Sequence, residues 1–154
     1  MTTFTKWFLL IAVTGTALFF AEMKGALSLI ILNDKSYLSI AIMSIFVIMS
    51  LYCGYLAYHA DVAKNFDDRM KLLKKSETGW FAAEHFFSFG LLGTIIGLVL
   101  ATGGSVDSSK PISEIVSGLK IGLNTAFYTT ICGIVFSLLL QLQLLVLKIG
   151  LDKK

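Results

Sequence analysis

Between Tyr37 and Ala60 the chain runs 24 residues without a formal charge. A helix of about 20 apolar residues crosses a hydrocarbon core about 30 Å thick, so this stretch alone predicts a membrane span. Two further stretches behave in the same way. Phe86 to Val106 is uncharged over 21 residues, and Ile121 to Leu147 over 27. The second of these is long enough to tilt or to project beyond the bilayer. The first block is shorter, with 15 uncharged residues from Trp7 to Ala21. Lys6 at its edge can snorkel to the interface, which extends the block to a crossing. The reading is an all-α integral membrane protein of one domain over residues 1–154. Its four transmembrane helices cover approximately 4–21, 37–60, 81–102 and 113–147.

Composition excludes several other classes. Charged residues make up 15% of the 154 residues and there is one proline. A soluble domain carries roughly 25% charged residues, and a disordered chain carries few apolar ones. The 13 basic and 10 acidic residues give a net charge of +3, too balanced for a nucleic-acid partner. The same figures argue against a soluble enzyme and against a disulfide scaffold. Cys53 and Cys132 both fall within predicted spans, where a thiol acts as a small hydrophobe.

The segments between spans set the orientation. Lys64, Arg69, Lys71, Lys74, Lys75, Lys148, Lys153, Lys154 and Lys6 lie on one side, and Lys24, Lys35, Lys110 and Lys120 on the other. Lysine and arginine concentrate in cytoplasmic loops, which puts both termini and the loop 61–80 in the cytoplasm of a multi-pass inner-membrane protein. Within that loop, 61–78 reads as a helix continuing the second span out of the membrane. Residues 22–36 read as an interfacial outer connector. The rival reading is one long first helix in which Glu22 and Lys24 pair inside the protein. The thin basic region before the first span, without a clear cleavage site, favours a retained helix over a signal peptide. The stretch Gly103 to Ile112 holds Gly-Gly, Ser-Ser and Pro111 and reads as a turn, with Ser113 and Glu114 marking the next helix start.

The third and fourth spans differ from the first two. Gly90, Gly93 and Gly97 recur at helical spacing in the third. Gly118, Gly122, Ala126, Thr129, Gly133 and Ser137 form a stripe in the fourth, which Gln141 continues. Small residues let helix backbones approach closely in lipid, so the glycines serve helix packing first. The threonines ask for more. A lone intramembrane threonine usually bonds its own backbone. Thr94 and Thr130, however, lie about midway along two antiparallel spans, with Asn124, Thr125 and Thr129 nearby. Such a cluster suits a narrow hydrated path or a partner's polar side chain. The chain offers no carboxylate at that depth, because Glu84, His85 and His59 fall at inner ends and Glu114 at an outer one. A proton relay needs a titrating group within the membrane. If protons cross here, their carrier belongs to another chain.

The run FGLLGTIIGLVL, Phe89 to Leu100, resembles the third-helix motif of the MotA/TolQ/ExbB proton-channel family. The run GLNTAFYTTICGIVFSLLLQ, Gly122 to Gln141, resembles that family's last helix, with Thr129, Thr130 and Gly133 as its T-T-x-x-G core. The similarity covers these two runs; the rest matches in topology alone. The resemblance implies a homopentamer whose third and fourth helices line a central pore. It further implies a single-span partner of the MotB/TolR/ExbD kind, whose membrane aspartate carries the ion. Thr94 and Thr130 match the family's pore threonines. Thr125, Thr129, Asn124 and Ser137 would make secondary pore or partner contacts. The transported ion would be H⁺, and hydroxyls also suit Na⁺. No cofactor, metal or catalytic residue is implied. Two departures stand out. Some members carry a glutamate in the last helix where this chain has Thr125, and the loop 61–80 is too short for the rotor-engaging domain of a flagellar stator. The expectation is a compact proton-motive motor or channel subunit. The alternatives are a small four-helix secondary transporter, for which Glu22 is the candidate carboxylate, and a structural or holin-like oligomer.

Overall fold

The computed structural model describes residues 2–63, 65–103 and 111–152. Those residues form five helices and no strand: α1 Thr3–Met23, α2 Ala26–Asn33, α3 Leu38–Val62, α4 Phe66–Gly103 and α5 Ile112–Asp152. All except α2 are long and apolar enough to cross a membrane. The all-α, multi-pass membrane class follows. Of the turn expected over 103–112, residues 104–110 lie outside the described residues, as do Lys64, Lys110, Lys153 and Lys154 of the charge asymmetry.

Helices α4 and α5 dominate the molecule. At a rise of about 1.5 Å per residue, their 38 and 41 residues give lengths of about 57 and 62 Å. Both exceed a bilayer's apolar thickness. They pack antiparallel along a glycine seam, described below. On one side of that seam α3 runs parallel to α5. The Phe46 and Phe136 rings meet at a centroid distance of 4.9 Å, and Ser50 Oγ donates to Gln143 Oε1 at 2.9 Å. The core follows this contact through Ile42, Leu56, Phe86, Leu140, Leu144 and Leu147, all at most 1% exposed.

Helix α1 closes the outside of α3. Its first turn is held by Asp61 of α3, whose carboxylate accepts from the Thr3 and Phe4 backbone N–H groups, each at 2.8 Å. These are donors with no partner inside their own helix. The Trp7 indole lies against Gly54. A Cβ there would meet ring carbons at 2.5 and 2.9 Å, so only glycine leaves room.

One local feature departs from the sequence reading. The helical stretch after Asp61 does not continue the second span. Helix α3 stops at Val62, Ala63 is extended, and a fresh helix begins at Phe66 and runs unbroken into the third span. Asp67 and Asp68 in its first turn suit the positive end of a helix dipole. Between α1 and α3 the chain is not the one long helix of the rival reading. Gly25 takes a left-handed conformation (φ +73°), which glycine adopts without steric cost, and α2 follows as a separate helix. Glu22 accepts from the Ser28 backbone N–H at 3.1 Å and from the Ser28 hydroxyl. It makes no ion pair with Lys24.

Candidate functional site: the threonine pair on the glycine seam

The seam exists because three glycines of α4 meet glycine and small residues of α5. A Cβ on Gly97 would fall 2.5 Å from the Gly122 carbonyl and 2.6 Å from the Ala126 nitrogen. One on Gly133 would fall 2.6 Å from the Phe86 carbonyl, and one on Gly90 would fall 3.2 Å from the Gly133 Cα. A Cβ on Gly93 would overlap the Thr129 side chain, and one on Gly122 the Ala101 backbone. The helices therefore stay in close approach, mostly backbone against backbone, over about four helical turns of α4, from Phe86 to Ala101. Of the glycines singled out from sequence, Gly90, Gly93, Gly97, Gly122 and Gly133 lie in this contact. Gly118 is half-buried, beyond the end of the seam nearest the start of α5.

At the middle of the seam Thr94 and Thr130 are brought together, hydroxyl to hydroxyl. Each also reaches two carbonyls. Thr94 Oγ1 lies 3.2 Å from the Gly90 carbonyl and 3.4 Å from that of Ala126. Thr130 Oγ1 lies 2.9 Å from the Ala126 carbonyl and 3.4 Å from that of Gly90. The two threonines are thus related by a local twofold, with one shared pair of acceptors. Each hydroxyl has one proton, so one threonine donates to the other and the second donates to a carbonyl. The direction can reverse without moving a heavy atom. Lone pairs remain to accept from a water or a protonated acid, or to ligate a cation. The pair cannot itself titrate at physiological pH.

Both threonines are half-buried, on the side of the seam away from α3. Among the described residues, nothing covers that side. Phe87, Leu91, Leu98, Ile134 and Leu138 flank it and are between 39% and 56% exposed. Phe87 precedes Thr94 by two helical turns and Gln141 follows Thr130 by three, so both share the pair's side of the seam. There they line a groove of about 450 Å³ together with Glu84, Ile134, Ser137 and Leu138. The uncovered face is therefore apolar, with hydroxyls at its centre and Gln141 and Glu84 towards one end.

The other polar residues singled out from sequence have their hydrogen bonds within the chain. Thr129 is fully buried and donates to its own helix, with the Thr125 carbonyl at 2.9 Å and that of Ala126 at 3.2 Å. Thr125 is also fully buried. It donates to the Asn33 carbonyl at 3.1 Å and accepts from the Lys35 N–H at 3.2 Å, which ties the α2–α3 connection to α5. Asn124 Nδ2 reaches Asn33 Oδ1 at 3.4 Å. Ser137 donates across the seam to the Ala83 carbonyl at 2.7 Å and accepts from Gln141 Nε2 at 3.2 Å. Thr125 lies five residues from Thr130, about 7.5 Å along the helix, so the α2–α3 connection reaches close to the threonine pair.

Sequence reasoning missed Gln143. Fully buried, it accepts from Trp7 Nε1 at 3.2 Å and from Ser50 Oγ at 2.9 Å, joining α1, α3 and α5 at one polar node. The available signal was a second glutamine in the run LLLQLQLLVL, because a buried amide in apolar surroundings needs partners.

No protein-family model, curated protein or solved structure matches the chain.

Proposed function

We propose that this chain is the pore-forming subunit of an ion-conducting membrane motor or channel of the MotA/TolQ/ExbB kind. Several copies, five by that resemblance, surround an axis with α4 and α5 innermost. A single-span partner inside the ring brings a membrane aspartate to the Thr94–Thr130 pair. The observation that carries the reading is the position of this pair. It occupies the one face of the tightest helix contact that α1, α2 and α3 leave open, and it keeps acceptor capacity there. A hydroxyl pair of reversible direction suits repeated hand-off of a proton to and from a carboxylate. The same oxygens suit a dehydrated Na⁺. The driving force would be the membrane potential, about 2.3 kcal/mol per charge per 100 mV. The chain is not an enzyme in this reading, and its mechanical output passes through partners.

The test is ion flux in inner-membrane vesicles carrying the protein with its genomic neighbours, at wild-type and with Thr94→Val or Thr130→Val. Valine keeps the shape and removes the hydroxyl. Loss of flux with the assembly intact is the expected result. Unchanged flux in both variants would remove the threonines from the pathway.

A further inference from the structure

A second site lies where α3 ends and α4 begins, far from the end of α4 and the start of α5. Both helices border a pocket of about 590 Å³ there, walled by His59, Asn65, Asp68, Lys71, Leu72 and Lys75. Lys71 and Lys75 are one helical turn apart, so both ammonium groups serve the same pocket. Positive charge prevails in the wall. The single ion pair among the described residues is Lys71 with Asp68 at 4.0 Å, between two mostly exposed side chains, and such a contact is weak. Among the described residues Lys75 has no carboxylate within that reach.

Arg69 adds an unmet donor beside the wall. Its Nη2 donates to the Ala63 carbonyl at 3.2 Å, and its Nη1 is inaccessible without a partner among the described residues. A guanidinium N–H with no acceptor is costly to bury. An anion entering the pocket would supply one after a small rotation of the side chain.

The tyrosines beside the pocket suit a membrane boundary. Tyr52 Oη donates to the Lys75 carbonyl at 3.4 Å, and Tyr55 and Tyr58 stand exposed on α3 beside His59. Aromatic residues of this kind collect at headgroup level. Ile48, Tyr52, Tyr55 and His59 recur at three or four residues and so form one stripe of α3, leading from its apolar surface to the pocket. A ligand shaped for this arrangement has an anionic head and an apolar tail.

We propose that this pocket binds the phosphate of an anionic membrane lipid of the phosphatidylglycerol class. Lys71 and Lys75 hold the phosphate, Arg69 Nη1 turns to it, and the acyl chain follows the Ile48–Tyr55 stripe. Asp68 disfavours a second negative charge, so a singly charged phosphodiester fits better than a phosphomonoester. The site is independent of ion conduction.

Native mass spectrometry of the delipidated protein tests this, with phosphatidylglycerol and phosphatidylcholine of identical chains added in parallel. The expected result is preferential retention of phosphatidylglycerol. A basic residue near an anionic surface is worth about a fivefold change in binding. Lys71→Gln with Lys75→Gln should therefore cut phosphatidylglycerol retention roughly 25-fold. Lys120→Gln, at the other end of the molecule, should leave it unchanged. Equal retention of the two lipids by the wild-type protein overturns the proposal, whatever the variants do. So does a loss in the double variant no greater than in Lys120→Gln. Inorganic phosphate that displaces the lipid at equal concentration would make this a free-anion site and overturn the lipid assignment.

Discussion

Gly97→Ala tests the close helix contact on which the threonine geometry depends. The added methyl would lie 2.5 Å from the Gly122 carbonyl, 2.6 Å from the Ala126 nitrogen and 2.8 Å from the Ala126 Cβ. Ordinary carbon contacts are about 3.5–4.0 Å, so α4 and α5 must separate by about 1 Å. Two of the three obstructing atoms are backbone, and no rotamer change relieves them. Overpacking of this kind costs about 1–3 kcal/mol. Against it stands the helix propensity gained by replacing a mid-helix glycine, about 0.5–1 kcal/mol. Gly15→Ala in α1 supplies the reference, because a Cβ there meets nothing within 4 Å and gains only the propensity. The difference between the two variants cancels propensity and isolates the overpacking cost. At about 2–4 °C per kcal/mol, Gly97→Ala should melt about 2–12 °C below Gly15→Ala in detergent. Equal melting temperatures would refute a backbone-to-backbone seam. Separation should also part Thr94 from Thr130, so ion flux should fall with stability.

Two further outcomes follow from the packing. Gln143→Leu leaves Trp7 Nε1 and Ser50 Oγ buried without their acceptor and should cost about 1–3 kcal/mol in thermal or denaturant unfolding; a neutral result would contradict the polar node. Asp61→Ala removes the acceptor of the Thr3 and Phe4 N–H groups and should cost about 0.5–2 kcal/mol. Hydrogen exchange should show it as lost protection in the first turn of α1 with α3 unchanged, and full protection there would count against the cap.

The four spans were legible because charges bound them: no Asp, Glu, Lys or Arg interrupts 37–60, 86–106 or 121–147. The small-residue spacing of Gly90, Gly93 and Gly97 against Gly122, Ala126 and Gly133 marked the two helices that approach most closely. Ownership of the charged stretch after Asp61 was not legible. Val62, Phe66, Met70 and Leu73 keep a helical rhythm across the break, and nothing in apolar spacing reveals an extended Ala63. The α2 helix was obscured because its eight residues are too few to span and its break depends on one left-handed glycine. The polar residues show the same limit. Helical spacing grouped Thr125, Thr129, Thr130 and Ser137 near one another. It could not show that Thr125 bonds the α2–α3 connection while Thr130 meets Thr94, because that depends on what packs against each side of α5. Gln143 belonged to no stripe, and its partners lie 93 and 136 residues away in sequence.

The most direct test of the central claim is an image of the assembled protein in lipid, at a resolution that counts subunits and identifies helices. The account predicts a closed ring, five subunits by the family resemblance, with α4 and α5 innermost and Thr94 and Thr130 facing the axis. A stable dimer, or a ring in which the Thr94–Thr130 face meets lipid, would contradict it.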